Sequence, residues 1–66
     1  MIGHKLKELR EERGLKQDEL AKSLSVSPSA IGMYEINKRE PNNELIIKMA
    51  NFFDVSVDYL LRQIWI

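Results

Sequence analysis

Apolar residues recur along this chain at helical spacing, in five blocks set apart by short polar breaks. Ile2, Leu6 and Leu9 fall at i, i+4 and i+7, the buried stripe of an amphipathic helix over residues 4–13. Gly14 is suited to end that helix in the left-handed region, and Leu15 to plug the bend. Leu20, Ala21 and Leu24 make a second stripe, giving a helix over residues 17–24. Ser25-Val26-Ser27 breaks the pattern. Ser27 is then an N-cap whose hydroxyl can accept from an unpaired N–H, and Pro28 stands at the first helical position, where its fixed φ fits. The third helix, over 28–36, places Ile31, Tyr34 and Glu35 on one face and Ser29, Gly32, Met33 and Ile36 on the other. Asn42, after Pro41, caps a fourth helix over 43–53. Its wide stripe of Leu45, Ile46, Met49, Ala50 and Phe53, with Ile47 and Phe52 at the margins, is core and not a cofactor pocket. Ser56 caps a fifth helix over 56–62, with Val55, Val57, Leu60 and Leu61 as its apolar residues. The expectation is an all-α chain.

Two short helices joined by a tight bend, 17–24 and 28–36, suit a helix-turn-helix whose second member enters the major groove. The residues that carry a resemblance lie here and just beyond: Gln17, Leu20 and Ala21, the Val26-Ser27 turn, Ile31, Tyr34-Glu35, the Lys38-Arg39-Glu40-Pro41 loop and the late stretch Asp54 to Leu61. No single piece is specific, but in this order they resemble the Xre, or Cro/cI-type, helix-turn-helix family over residues 4–62. The resemblance implies a five-helix lambda-repressor-like DNA-binding domain over residues 1–62. It also implies a bacterial or phage origin and a sequence-specific regulator of transcription on double-stranded DNA.

The same resemblance assigns roles. Pro28, Ser29, Gly32 and Met33 would meet base edges, and Lys38 and Arg39 would meet phosphates. Gln17 would grip the backbone together with the free N–H groups of its helix end. Ser27, Asn37 and Asn43 complete the DNA-facing set, and Arg10 and Glu35 would form a structural ion pair. Plainer readings stand beside these: a solvated Gln17, a tolerated surface glycine at 32, a solvated loop at Lys38 and Arg39. The base-facing set holds no Arg, Asn or Gln, the side chains of bidentate base contacts. Readout would therefore rely on apolar contacts and DNA shape. Three positions depart from the family pattern. Lys16 stands where a capping Thr or Ser is usual and cannot accept a bond, which Asp18 and Glu19 offset in part through the helix dipole. Ser25 and Asn37 stand where Gly is usual. If Ser25 is left-handed it costs roughly 1–2 kcal/mol; Asn37 tolerates that geometry better.

Composition narrows the function classes. The 66 residues fit one small domain. They hold no cysteine, so no disulfide framework or thiolate metal site. No apolar run approaches the ~20 residues of a membrane span, and the N-terminus lacks a signal core. A soluble cytoplasmic, nucleoid-associated protein is expected. Ten Lys/Arg balance ten Asp/Glu, which gives no basic footprint and predicts a modest salt slope for any DNA complex. His4 has no companion at ligand spacing, the serines lack a base, and the glycines form no phosphate loop. No enzyme activity, metal, cofactor or small-molecule ligand is expected.

The last four residues, 63–66, form an apolar tail in which Ile64, Trp65 and Ile66 follow Leu61 closely. Two readings stay open: a fold-back onto the core, or a homodimer contact made by Leu61, Ile64, Trp65 and Ile66. The expected function is a regulator, repressing as a homodimer on a palindromic operator. The alternative is a protein-interaction module, antitoxin-like or anti-repressor, that kept the fold without specific DNA readout.

Overall fold

The computed structural model describes residues 2–62, which form five helices and, among these residues, no strand: α1 (Gly3–Glu12), α2 (Gln17–Leu24), α3 (Pro28–Glu35), α4 (Asn43–Phe53) and α5 (Val57–Leu61). The boundaries fall within one residue of those predicted by the apolar spacing, as fraying helix ends allow. Ile64, Trp65 and Ile66 lie outside the described residues.

Local chemistry fixes where these helices start. Ser27 Oγ accepts from Ala30 N–H at 3.1 Å, Asn42 Oδ1 from Leu45 N–H at 2.9 Å and Ser56 Oγ from Tyr59 N–H at 3.0 Å. Each satisfies a backbone donor that the helix itself leaves unpaired. At α2, Lys16 provides no acceptor; the local bond runs the other way, from Lys16 N–H to Glu19 Oε1 at 2.8 Å. The first helix has no side-chain cap either. Its Gly3 N–H donates instead to Asn37 Oδ1, 34 positions away, at 3.1 Å.

The helix ends share one design. Gly14, Ser25, Asn37 and Asp54 all have φ between 56° and 67°. In each case the next residue's N–H reaches back to a carbonyl of the last turn: Leu15 to Arg10, Val26 to Ala21, Lys38 to Met33 and Val55 to Ala50, at 2.9–3.1 Å. This is the Schellman arrangement, which usually sets an apolar residue against the helix it has just left. Leu15, Val26 and Val55 do so, packing against the core. Lys38, after α3, is instead exposed. Two more carbonyls near helix ends are capped by cations. Lys48 Nζ donates to Leu24 O at 3.1 Å, and an Arg13 guanidinium N–H to Phe53 O at 2.8 Å, with that guanidinium 5.5 Å from the Phe53 ring centroid.

All five helices contribute to one core. Leu6, Leu20, Leu24, Ile31, Met49, Phe53 and Leu60 are its largest fully buried side chains, each stabilising the fold by about 1.5–3 kcal/mol relative to exposure. From α4 the wide stripe enters as Leu45, Met49, Ala50 and Phe53, with Ile46 and Phe52 half-buried; Ile47 is on the surface. No helix among the described residues is long and apolar enough to cross a membrane.

Candidate nucleic-acid interface

The third helix is held by one side and open on the other. Ala30, Ile31, Tyr34 and Glu35 are buried, whereas Ser29 and Met33 are exposed and Gly32 is half-buried. Little in the sequence of α3 favours a helix on its own. Gly32 costs about 1 kcal/mol relative to Ala, and an isolated helix of this length is marginal in water. Its shape rests on the Ser27 cap, on the buried face and on the charged network at its C-terminal end.

That network centres on Glu35, whose side chain is only 2% exposed. Arg10, reaching from α1, donates through Nε to Glu35 Oε2 at 2.6 Å and through a terminal nitrogen to Oε1 at 3.2 Å. Its other terminal nitrogen donates to Leu15 O at 2.8 Å. Gln17 Nε2 donates to Glu35 Oε1 at 3.0 Å. One carboxylate thus ties together α1, the first residue of α2 and the end of α3. The hydrogen bond to Glu35 raises the Arg10 pKa above its ordinary value; burial opposes this, and attraction to Glu35 adds to it. Among the described residues no buried side-chain nitrogen or oxygen lacks a hydrogen-bond partner, so the network avoids the penalty of a half-satisfied polar site.

A second clamp joins α1 to α3. A Cβ on Gly3 would lie 2.6 Å from Asn37 Oδ1, Glu35 O and Tyr34 O. Only glycine therefore lets the start of α1 abut the carbonyl end of α3, an arrangement that also sets opposite ends of two helix dipoles together.

The structure sorts the sequence-predicted residues. Ser27, Pro28, Ser29 and Met33 are exposed along α3 and its cap, with Met33 40% accessible. Lys38 and Arg39 are exposed directly after α3 and, among the described residues, enter no ion pair. Asn43 is exposed in the first turn of α4, next to the capping residue Asn42. Gln17 and Asn37 are exposed too, yet each spends side-chain bonding capacity inside the protein, on Glu35 and on Gly3 respectively. Leu61 ends α5 with 45% of its surface accessible. Ile36, just past α3, is 63% accessible, although sequence reasoning gave it no role. Its place beside Met33 on the predicted outward face was the available signal. Gly3 was also missed, and nothing in the local sequence marks it, because its constraint comes from residues more than thirty positions away. Among the described residues, no group of three or more His, Asp or Glu side chains could hold a metal ion.

The comparisons with known proteins agree with this geometry. The profile of the helix-turn-helix family matches residues 6–60. The HTH-type transcriptional regulator ImmR of Bacillus subtilis is 37% identical over 60 residues, covering 91% of this chain and 47% of that protein. The chain spans about half the length of the curated relatives it matches. Among solved structures, the P22 c2 repressor in complex with a synthetic operator superposes with a TM-score of 0.88 at 31% identity, covering 94% of both chains. The biofilm regulator SinR in complex with DNA gives a TM-score of 0.84 at 35% identity, covering 94% of this chain and 100% of that one. With the five-helix fold and the open outer face of α3 in place, the chain belongs to the helix-turn-helix family of Xre, or Cro/cI-type, transcriptional regulators, which are not enzymes.

Proposed function

We propose that this chain regulates transcription by binding double-stranded DNA in the major groove with α3, as a repressor that acts as a homodimer on a two-fold-symmetric operator. The observation that carries the reading is the two-sidedness of α3. One face is locked into the core, while the opposite face presents Ser29, Gly32 and Met33 beside the exposed cations Lys38 and Arg39. Related domains solved on DNA, from the P22 c2 repressor and SinR, support it. Ser29 can hydrogen-bond to any base, and Met33 and the Pro28 ring can touch a thymine methyl. Lys38, Arg39, Gln17 and the side-chain-uncapped start of α2 supply phosphate contacts. A homodimer would set two α3 helices about 34 Å apart, one helical turn of DNA. Leu61 and the apolar tail that follows it are the proposed subunit contact.

The test is selection of bound duplexes from a randomised pool at near-physiological salt, followed by sequencing. Recovery of a palindromic motif with half-sites one turn apart is the expected result. A folded protein that enriches no duplex would overturn the DNA reading and leave the protein-interaction module. Removal of residues 63–66 is expected to give a monomer in sedimentation. An unchanged mass would remove the tail from the subunit contact.

A further inference from the structure

The hydrogen bond from Gln17 to Glu35 gives the buried carboxylate more to do than hold Arg10. We propose that Glu35 is a positioning residue for DNA contact: it fixes the Gln17 carboxamide alongside α3, next to Gly32, so that Gln17 meets a phosphate already aimed. This rests on the DNA-binding reading above.

Three observations carry it. Gln17 is exposed, but its Nε2 is anchored at 3.0 Å on a carboxylate that is itself almost fully buried. That carboxylate is held by two bonds from Arg10, so the anchor does not swing. A Cβ built on Gly32 would lie 3.7 Å from Gln17 Nε2 and 3.8 Å from its Oε1. The amide therefore lies at ordinary contact distance from a methyl at position 32, where only a longer side chain of α3 would collide with it. Nε2 carries two hydrogens. One is spent on Glu35, and the other can be offered outward to an anion. Arg10 cancels the Glu35 charge, so the anchor does not repel the phosphate that its own pendant amide would bind. An unanchored glutamine would have to be immobilised on binding, which weakens affinity by roughly three- to tenfold.

A double-mutant cycle isolates this indirect effect. Affinity for a random-sequence duplex of about two turns, ~21 base pairs, is measured by fluorescence anisotropy at low salt. The proteins are wild type, Gln17→Ala, the paired replacement Arg10→Met with Glu35→Leu, and all three changes together. The paired replacement removes the anchor while leaving no buried charge behind. It is expected to weaken binding roughly three- to tenfold when Gln17 is present, and by less than about twofold in the Gln17→Ala background. Equal losses in both backgrounds would overturn the proposal and leave DNA binding intact. A wild-type protein that binds no duplex would overturn the DNA reading and this proposal with it. If the paired replacement does not fold, the wild type alone decides, through NMR of the Gln17 side-chain amide in the free protein. One Nε2 proton protected from exchange and unmoved when duplex is added, with the other shifted by the duplex, supports the anchor. A freely rotating amide that orders only with DNA refutes it.

Discussion

Replacing Glu35 by alanine should remove roughly a third or more of the stability of this domain. Glu35→Ala would leave the Arg10 guanidinium, whose side chain is only 11% exposed, with the Leu15 carbonyl as its remaining partner. The Nε and terminal N–H groups that now meet the carboxylate at 2.6 and 3.2 Å would face a small apolar methyl. Breaking one side of a buried pair costs about 3–5 kcal/mol, because the remaining charge stays desolvated. Gln17 contributes little to that sum, since its amide is exposed and water can replace Glu35. A chain of 66 residues is expected to have a total stability of roughly 3–10 kcal/mol. With a urea dependence of about 1 kcal/mol per molar, the midpoint should fall by at least ~3 M, and a weakly stable domain would be unfolded without urea. Urea titration followed by far-UV circular dichroism measures this directly. Because Glu35 raises the already very basic pKa of Arg10, the arginine's contribution is fully present below its unfolded value and is lost only as pH rises through the folded one. The guanidinium therefore adds no pH dependence near neutrality. The paired replacement Arg10→Met with Glu35→Leu should restore the midpoint to within about 1 M of wild type, since no lone charge remains. A Glu35→Ala midpoint within ~0.5 M of wild type would refute the reasoning.

Other outcomes follow from single positions. Gly3→Ala forces a Cβ to within 2.6 Å of two backbone carbonyls and Asn37 Oδ1; overpacking of this kind costs about 1–3 kcal/mol, and a Tm within 2 °C of wild type, on a scale of ~4–8 °C per kcal/mol, would show that α1 shifts freely. Ser25→Gly relieves a left-handed serine at φ 61° and should stabilise by about 0.5–1 kcal/mol, once the greater freedom of unfolded glycine is subtracted from the strain; a lower Tm would contradict this. Arg39→Ala should weaken selected and random duplexes equally and lower the salt slope by about one, whereas a sequence-selective loss would contradict the phosphate contact. Lys5 should titrate above its ordinary 10.5, chiefly through its hydrogen bond to Glu8. Any stabilisation it brings is present below 10.5 and lost as pH rises through the folded value. NMR titration of Lys5 in wild type and in Glu8→Gln checks the shift, which should shrink in the variant.

What the sequence made legible is what depends on near neighbours. Ser27, Asn42 and Ser56 cap where their position before an apolar block says they should. The left-handed stops at Gly14 and Asn37, and the one considered at Ser25, are present. Asp54 is a fourth such stop that the sequence reading passed over. Its signal was available: Asp tolerates this region, and Val55 follows it as Leu15 follows Gly14 and Val26 follows Ser25. The residues missed or only half understood are those whose partners are distant. Gln17 looked like a free helix-start amide because Glu35 stands eighteen positions away. Asn37 looked like a DNA-facing loop residue, and its bond to Gly3 is invisible to any local pattern. Gly32 could not be interpreted without knowing that the Gln17 amide lies beside it.

Those distant contacts explain how a neutral chain with an intrinsically weak third helix can present a defined surface. The third helix has little intrinsic reason to be helical, and its outward face carries no side chain longer than Met33. Its geometry is imposed from α1 by Arg10 on Glu35 and by Gly3 against the Tyr34 and Glu35 carbonyls. Shape is thus set on the buried side and expressed on the exposed side. Part of the cationic charge is committed inside the domain: Arg10, Arg13 and Lys48 are engaged with a carboxylate or with backbone carbonyls, and Lys5 with Glu8 and the Tyr59 ring. Under the DNA-binding reading, a chain with no net charge and no long polar side chain on the outward face of α3 would discriminate through fit more than through attraction, so small displacements of α3 should matter more than the loss of any one exposed lysine. Under the DNA-binding reading, substitutions at Gly3 or Arg10, which stand away from the outward face of α3, should then alter which sequences are bound. A change at Lys38 should alter only how tightly.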